Sequence, residues 1–114
     1  MEIDVSPSVG RFISQQETKA KDKISQKLES IEKYGTTSLG MEHFQKLHGH
    51  DIYEVRIRYD KKFFRLFGTI KNSTLWLLHA FMKKSDDTPP REIKTTLNLI
   101  RELDNSLNKE GGKI

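Results

Sequence analysis

The chain has 114 residues, of which 34% are hydrophobic and 32% are charged, and its net charge is +4. This length supports one hydrophobic core but not two, so we expect a single domain over residues 1–114. The absence of cysteine excludes disulfides and thiolate metal sites, and no apolar run approaches the roughly 20 residues that span a bilayer. The N-terminus lacks the basic and then apolar pattern of a signal peptide, which predicts a cytoplasmic protein with no membrane partner.

The first part of the chain has mainly helical patterns, after a possible edge strand at residues 2–5. Ser6 and Pro7 form a helix start, with a side-chain cap followed by proline at the first helical position. Apolar residues then follow a roughly helical period with a weak stretch near Gln16, and Gly35 is a natural stop. The spacing of four further apolar residues predicts a second, shorter helix that ends near residue 49: Leu39, Met41, Phe44 and Leu47.

The middle of the chain changes to the period of a strand. In YEVRIRY (53–59) apolar and charged residues alternate, which is typical of a half-buried strand. Asp60 and Lys61 make the turn into KFFRLFGTI (62–70), and a second turn leads to the apolar run TLWLLHAF (74–81). Three strands joined by tight turns predict an antiparallel meander, of four strands if residues 2–5 join it.

A final helix follows. Thr88 is its predicted cap, Pro89 and Pro90 fill its first turn, and Glu92 lies near the positive end of the helix dipole. A buried stripe runs along it at Ile93, Leu97, Ile100, Leu103 and Leu107. We expect residues 108–114 to be a frayed tail. Two N-terminal helices, a meander of three to four strands and a C-terminal helix predict an α+β fold.

Positive charge is concentrated in the middle of the chain. Residues 52–84 contain only two acids, Glu54 and Asp60. The same stretch contains eight cations: Arg56, Arg58, Lys61, Lys62, Arg65, Lys71, Lys83 and Lys84. A basic middle between mixed ends indicates one surface that meets a polyanion. The alternative is an ordinary solvated surface.

Two segments carry a family resemblance. IYEVRIRYDKKFFRLFG (52–68) and LLHAFMKKSDDTPPREI (77–93), with the closing helix, are similar to the phage-derived, HigB-like branch of the RelE/ParE toxin superfamily, over about residues 8–107. The resemblance implies a RelE-like fold and the toxin of a toxin–antitoxin pair, which cleaves mRNA on the ribosome and so inhibits translation. It implies a helix-turn-helix antitoxin, the ribosome and mRNA as partners, and no cofactor.

RNA cleavage by the neighbouring 2′-hydroxyl requires proton removal, stabilisation of a charged phosphorane and protonation of the leaving oxygen. Arginine suits the second task, because its planar fork matches phosphate oxygens. We therefore predict Arg65 as the phosphate clamp, supported by Arg56, and Lys83 or Lys84 as the acid or base. Arg65→Ala is expected to abolish cutting and leave the fold intact. Further RNA contacts are predicted at Arg58, Lys61, Lys62, Phe63 and Phe67.

Alternatives remain open for these residues and for the function. Arg56 and Arg58 also fit a solvated strand face, the lysine pair an ordinary loop, and the two phenylalanines a core. Histidines 43 and 79 are weaker candidates for the base, and the histidines offer no metal site. The same fold also fits a non-enzymatic, ParE-like gyrase inhibitor, or an inactive phage remnant that only binds an antitoxin.

Overall fold

The structure is a computed structural model that describes residues 1–83 and 89–111. These ranges contain three α-helices, a short 3₁₀ turn and five strands, so the predicted α+β class is confirmed. In chain order the elements are β1 (Glu2–Val5), α1 (Pro7–Ser14), α2 (Thr18–Tyr34), the 3₁₀ turn (Gly35–Ser38), β2 (Phe44–Lys46), β3 (Tyr53–Tyr59), β4 (Lys62–Lys71), β5 (Thr74–Lys83) and α3 (Pro90–Gly111).

The strands form one sheet in the order β1-β5-β4-β3-β2. The meander from β3 to β5 is antiparallel, as the pattern predicted, and β2 adds a further antiparallel strand on β3. The predicted edge strand at residues 2–5 is present, but it pairs with β5 in parallel. The described sheet is therefore mixed and has five strands, where three to four antiparallel strands were predicted.

The long N-terminal helix is interrupted where its pattern was weak. Ser6 caps α1 through a bond from the Val9 amide to its hydroxyl, and Gly35 ends α2, both as predicted. Between them Glu17 is extended, and the Gln16 side-chain amide donates to a main-chain carbonyl in the last turn of α1. The break produces two helices that both pack against the sheet.

The prediction of a short helix from Leu39 to about residue 49 is wrong. Its residues form the turn before β2, the strand itself and the residue after it. Phe44 packs in the core beside α1 and α2, whereas Leu47 packs on the opposite side of the sheet. A spacing of three places two residues on one side of a helix but on opposite faces of a strand, and pairing with β3 selects the second outcome.

Helices cover both faces of the sheet. On one face, α1 and α2 pack on a core that includes Phe44, Phe64 and Leu66. On the other face, the predicted stripe of α3 packs through Ile93, Leu97 and Ile100 on residues of β4 and β5. This second face, which we call the α3 face, also carries the arginines of the meander.

A bulge between β4 and β5 allows the apolar run of β5 to serve both faces. The register shifts between Phe67 and Gly68, so that β5 has one extra residue there. A Cβ atom at Gly68 would lie 1.9 Å from the Trp76 carbonyl oxygen. Only glycine therefore permits the close approach of these two strands.

Helix α3 begins at Pro90, with Glu92 in its first turn as predicted. The predicted cap at Thr88 lies outside the described residues. The helix continues to Gly111, and residues 112–114 also lie outside the description, so fraying from residue 108 stays a prediction. Within residues 1–83 and 89–111, the helices are too short or too polar to cross a bilayer.

Candidate nucleic-acid interface

Three rows of side chains cross β3, β4 and β5 on the α3 face. Directly opposite residues of an antiparallel pair project from the same face, so the register defines each row. In the order β3, β4, β5 the rows are Arg58–Phe63–Lys83, Arg56–Arg65–Phe81 and Glu54–Phe67–His79. The register thus places cations of all three strands on one face.

A buried carboxylate lies between two of these arginines. Arg65 Nη1 donates to Glu54 Oε2 at 2.8 Å, and Arg56 Nε lies 3.3 Å from Glu54 Oε1. Glu54 is 3% exposed and Arg65 is 1% exposed. Because an isolated buried charge is costly, the carboxylate and the Arg65 guanidinium stabilise each other.

The burial of Arg65 corrects its predicted role. A side chain that is 1% exposed does not present its guanidinium to a phosphate at the surface. The Arg56 side chain is 28% exposed, and Arg58 is exposed. Direct phosphate contact therefore suits Arg56 and Arg58, whereas Arg65 lies beneath them and binds Glu54.

The two predicted stacking aromatics have different environments. Phe63 is half-buried, and the Arg58 guanidinium lies 5.3 Å from the centre of its ring. Phe67 is fully buried and packs edge-on against Phe81, with ring centroids 5.0 Å apart. Phe67 is thus a core residue and not an RNA contact, because packing of α3 over this part of the face excludes a base.

An open cleft of about 760 Å³ lies along the outer edge of β3. The three residues of β2 pair with β3 only as far as Val55, so no described strand covers the edge from Ile57 to Tyr59. The cleft has five cations and two acids among its lining residues, which are Lys23, Lys27, Met41, Glu42, His43, Arg56, Ile57, Arg58, Asp60, Phe63, Phe64 and Arg65. Excess positive charge within a concave surface attracts a polyanion.

Part of this lining was not predicted from the sequence. Lys23 and Lys27 belong to α2, which packs on the other face of the sheet, and they add two cations to the lining of the cleft. Their spacing of four residues places them on one side of the helix, a signal that was available but that is common among solvated helices. The turn at 41–43 joins the cleft because it leads into β2.

His43 is the titratable group of the cleft whose ordinary pKa lies nearest to neutral pH. The residue is half-buried, and its ring Nε2 is buried without a hydrogen-bond partner. Burial lowers the pKa of His43 below 6.5, and nearby Lys27 lowers it further, while Glu42 opposes the change. His43 therefore carries a neutral imidazole at pH 7.

Of the predicted lysines, the described ones, Lys61, Lys62 and Lys83, do not line this cleft. Lys83 is the last residue of β5, opposite Phe63, and two strand spacings separate it from Arg58, or about 10 Å. Lys84 lies outside the described residues. Lys61 is exposed in the turn after β3, and Lys62 is half-buried at the start of β4. In the described ranges, no three His, Asp or Glu side chains cluster as metal ligands would.

The fold and the cleft together define a small α+β protein with a basic, aromatic-lined groove at a sheet edge. The chain belongs to the family of phage derived protein Gp49-like (DUF891), whose model matches residues 11–101. This is a toxin-like family in toxin–antitoxin systems. The match covers nearly the same stretch as the sequence resemblance. No curated protein matches the chain.

Proposed function

We propose that this protein is the toxin of a type II toxin–antitoxin pair and that it inhibits translation as a ribosome-dependent mRNA endoribonuclease of the HigB-like kind. The main support is the cleft at the β3 edge, where five cations and Phe63 surround a volume that accommodates a short stretch of single-stranded RNA. Membership of the Gp49-like family supports the toxin assignment independently.

The arginines supply the electrostatic part of this mechanism. Arg56 and Arg58 contact the scissile phosphate and stabilise the additional negative charge of the phosphorane. Arg65 and Glu54 support Arg56 from beneath, since Arg56 Nε lies 3.3 Å from the shared carboxylate. Phe63, with Arg58 against its ring, offers a surface on which a base stacks. In this proposal the chemistry uses no metal ion.

Proton transfer has two proposed sources, Lys83 and Lys84. Lys83 lies on the same face as Arg58 and Arg65, and Lys84 follows it in the chain. The lysines fit protonation of the leaving oxygen, because an ammonium at neutral pH carries a proton to donate.

The proposed partners follow from the same charges. The ribosome would contact the exposed turn at Lys61 and Lys62 through the rRNA backbone, and the message would enter the cleft. A helix-turn-helix antitoxin would block activity by covering the cleft, and carboxylates in its bound segment would match the cations other than the buried Arg65.

A cell-free translation reaction tests the proposal. With the purified protein added, RNA ends are mapped by primer extension in the presence and absence of ribosomes. We expect new 5′ ends within translated codons that appear only when ribosomes are present. Intact message in a reaction whose protein synthesis stops, or arrest of DNA supercoiling by gyrase, would overturn the proposal.

Variants locate the activity. Arg56→Ala and Arg58→Ala should each reduce the cutting rate by about 100-fold, the size expected for one donor to a developing oxyanion. Arg101→Ala is the matched control, because Arg101 is exposed on α3 and does not line the cleft. An equal loss of cutting rate in all three variants would contradict the assignment of the active site to the cleft.

A further inference from the structure

We propose that His43 is the general base of the cleft, an inference that rests on the proposed ribonuclease function. His43 takes the proton of the 2′-hydroxyl as that oxygen forms a bond to the adjacent phosphorus. The bond from phosphorus to the 5′-oxygen breaks, and the leaving oxygen takes a proton from the lysine ammonium proposed above. Proton exchange with solvent then returns His43 and the lysine to their starting forms. The products are a 2′,3′-cyclic phosphate and a 5′-hydroxyl end, so atoms and charge balance without a metal or a cofactor.

The main chain fixes His43 beside the phosphate-binding arginines. Its carbonyl oxygen accepts the Arg56 amide at 2.9 Å. This bond extends the register of β2 and β3 by one residue beyond the pair Phe44 and Val55, so His43 stands opposite Arg56. Cα atoms of such hydrogen-bonded pairs are about 5.5 Å apart. A phosphate held by Arg56 therefore has its ribose within reach of a residue at position 43.

The environment of the ring favours the form that a base requires. An imidazolium donates two hydrogen bonds, whereas a neutral imidazole donates one and keeps a lone pair on the other nitrogen. Because Nε2 is buried and cannot reach a substrate, the lone pair that accepts the proton is on Nδ1, and the neutral ring carries its hydrogen on Nε2. Lys27 on α2 adds a repulsive charge to the ring. Burial and this repulsion both lower the pKa of His43, which keeps the lone pair available at neutral pH.

The free cleft disfavours a protonated His43 ring, whereas the cleft with a phosphorane bound favours it. The groups that share the cleft with it are Lys23 and Lys27 from α2, Glu42 beside it, Arg56, Arg58 and Asp60 from β3 and its turn, and Arg65 from β4. Their net charge is positive and disfavours the imidazolium in the free protein. A phosphorane adds negative charge beside the ring, so the same imidazolium becomes favourable as the proton is transferred.

The other candidate bases in the described residues are less well placed. His79 Nε2 lies 3.2 Å from Glu92 Oε2 on the α3 face, and His48 and His50 do not line the cleft. Lys83 lies two strands from the β3 edge. His43 is therefore the group that combines a neutral form at pH 7 with a position beside Arg56.

The test measures single-turnover cleavage of ribosome-bound mRNA by the full chain as a function of pH. His43→Gln should reduce the rate by about 10² to 10⁴, the usual contribution of a general base, and should remove the fall in rate at acid pH. His43→Ala should regain activity when free imidazole is added. His48→Gln is the control, because His48 is exposed and outside the cleft, and it should match the unaltered protein.

Circular dichroism on each variant establishes that the fold is retained, which the partial exposure of His43 favours. Cutting by His43→Gln at the unaltered rate and with the unaltered pH profile would overturn the inference. The inference would also be overturned if His43→Gln cut more slowly but kept the fall in rate at acid pH, and if imidazole did not restore the activity of His43→Ala. That pattern would indicate a structural role for His43. If the unaltered chain does not cut RNA, the proposed function itself fails, and this result is distinct from either pattern.

Discussion

Removal of Arg65 should cost the protein a large share of its stability. Arg65→Met leaves the Glu54 carboxylate, which is 3% exposed, with Arg56 at 3.3 Å and without the closer guanidinium at 2.8 Å. Breaking one side of a buried ion pair costs about 3–5 kcal/mol. The total free energy of unfolding of a domain of this size is about 5–15 kcal/mol. At about 4 °C per kcal/mol, the melting temperature should fall by roughly 12–20 °C.

Urea unfolding followed by circular dichroism measures this loss. The double variant Glu54→Leu/Arg65→Met removes both charges, so it should lose much less than the two single variants combined. The control is Lys46→Met, whose partner Asp51 lies at 3.7 Å with side chains that are 47% and 78% exposed. This exposed pair should be worth less than about 1 kcal/mol. A loss below about 1 kcal/mol for Arg65→Met, or full additivity in the double variant, would refute the reasoning.

Three further predictions follow from the structure. Gly68→Ala should destabilise the sheet by about 1–3 kcal/mol or more, because the new methyl group meets the Trp76 carbonyl, and urea unfolding checks this. Phe67→Ala should cost about 3–5 kcal/mol in the same assay, whereas Phe63→Ala should cost less and instead weaken RNA binding, measured by fluorescence anisotropy. Because burial lowers the pKa of His43 in the folded state, the unfolded chain holds that proton more tightly. The free energy of unfolding should therefore rise with pH just below about 6.5 and level off above it, and His43→Gln should flatten this rise; an unchanged slope would contradict the assignment.

The parts of the fold that local chemistry determines were predictable from the sequence. The Ser6 cap, the Gly35 stop and the alternating pattern of β3 each depend on neighbouring residues, and all are confirmed. The segment around Phe44 was not predictable in this way, because the same apolar spacing fits one side of a helix or both faces of a strand. Pairing with β3, a contact distant in sequence, decided between them.

In the candidate site, too, the features set by neighbouring residues were predictable, and those set by contacts distant in sequence were not. Arg65 was predicted as a phosphate clamp because the planar fork of arginine matches phosphate oxygens, whereas its buried partner, Glu54, follows only from the register. The expectation that Arg65→Ala leaves the fold intact conflicts with this burial. Lys27 was not assigned to the site, and His43 was only a weaker candidate for the base, because the cleft exists only where the pairing of β2 with β3 stops at Val55. The number of β2 residues that pair with β3 cannot be predicted from the residues of β2 alone.

The most direct test of the account is to locate where single-stranded RNA contacts the protein. Amide chemical shifts would be recorded by NMR while a short RNA oligonucleotide is added at low salt, where backbone contacts are strongest. We predict shifts at residues 23, 27, 41–43 and 56–65, which fade as salt is raised. Shifts confined to the exposed side of α3 or to β1, with the β3 edge unaffected, would contradict the assignment of this cleft as the RNA site.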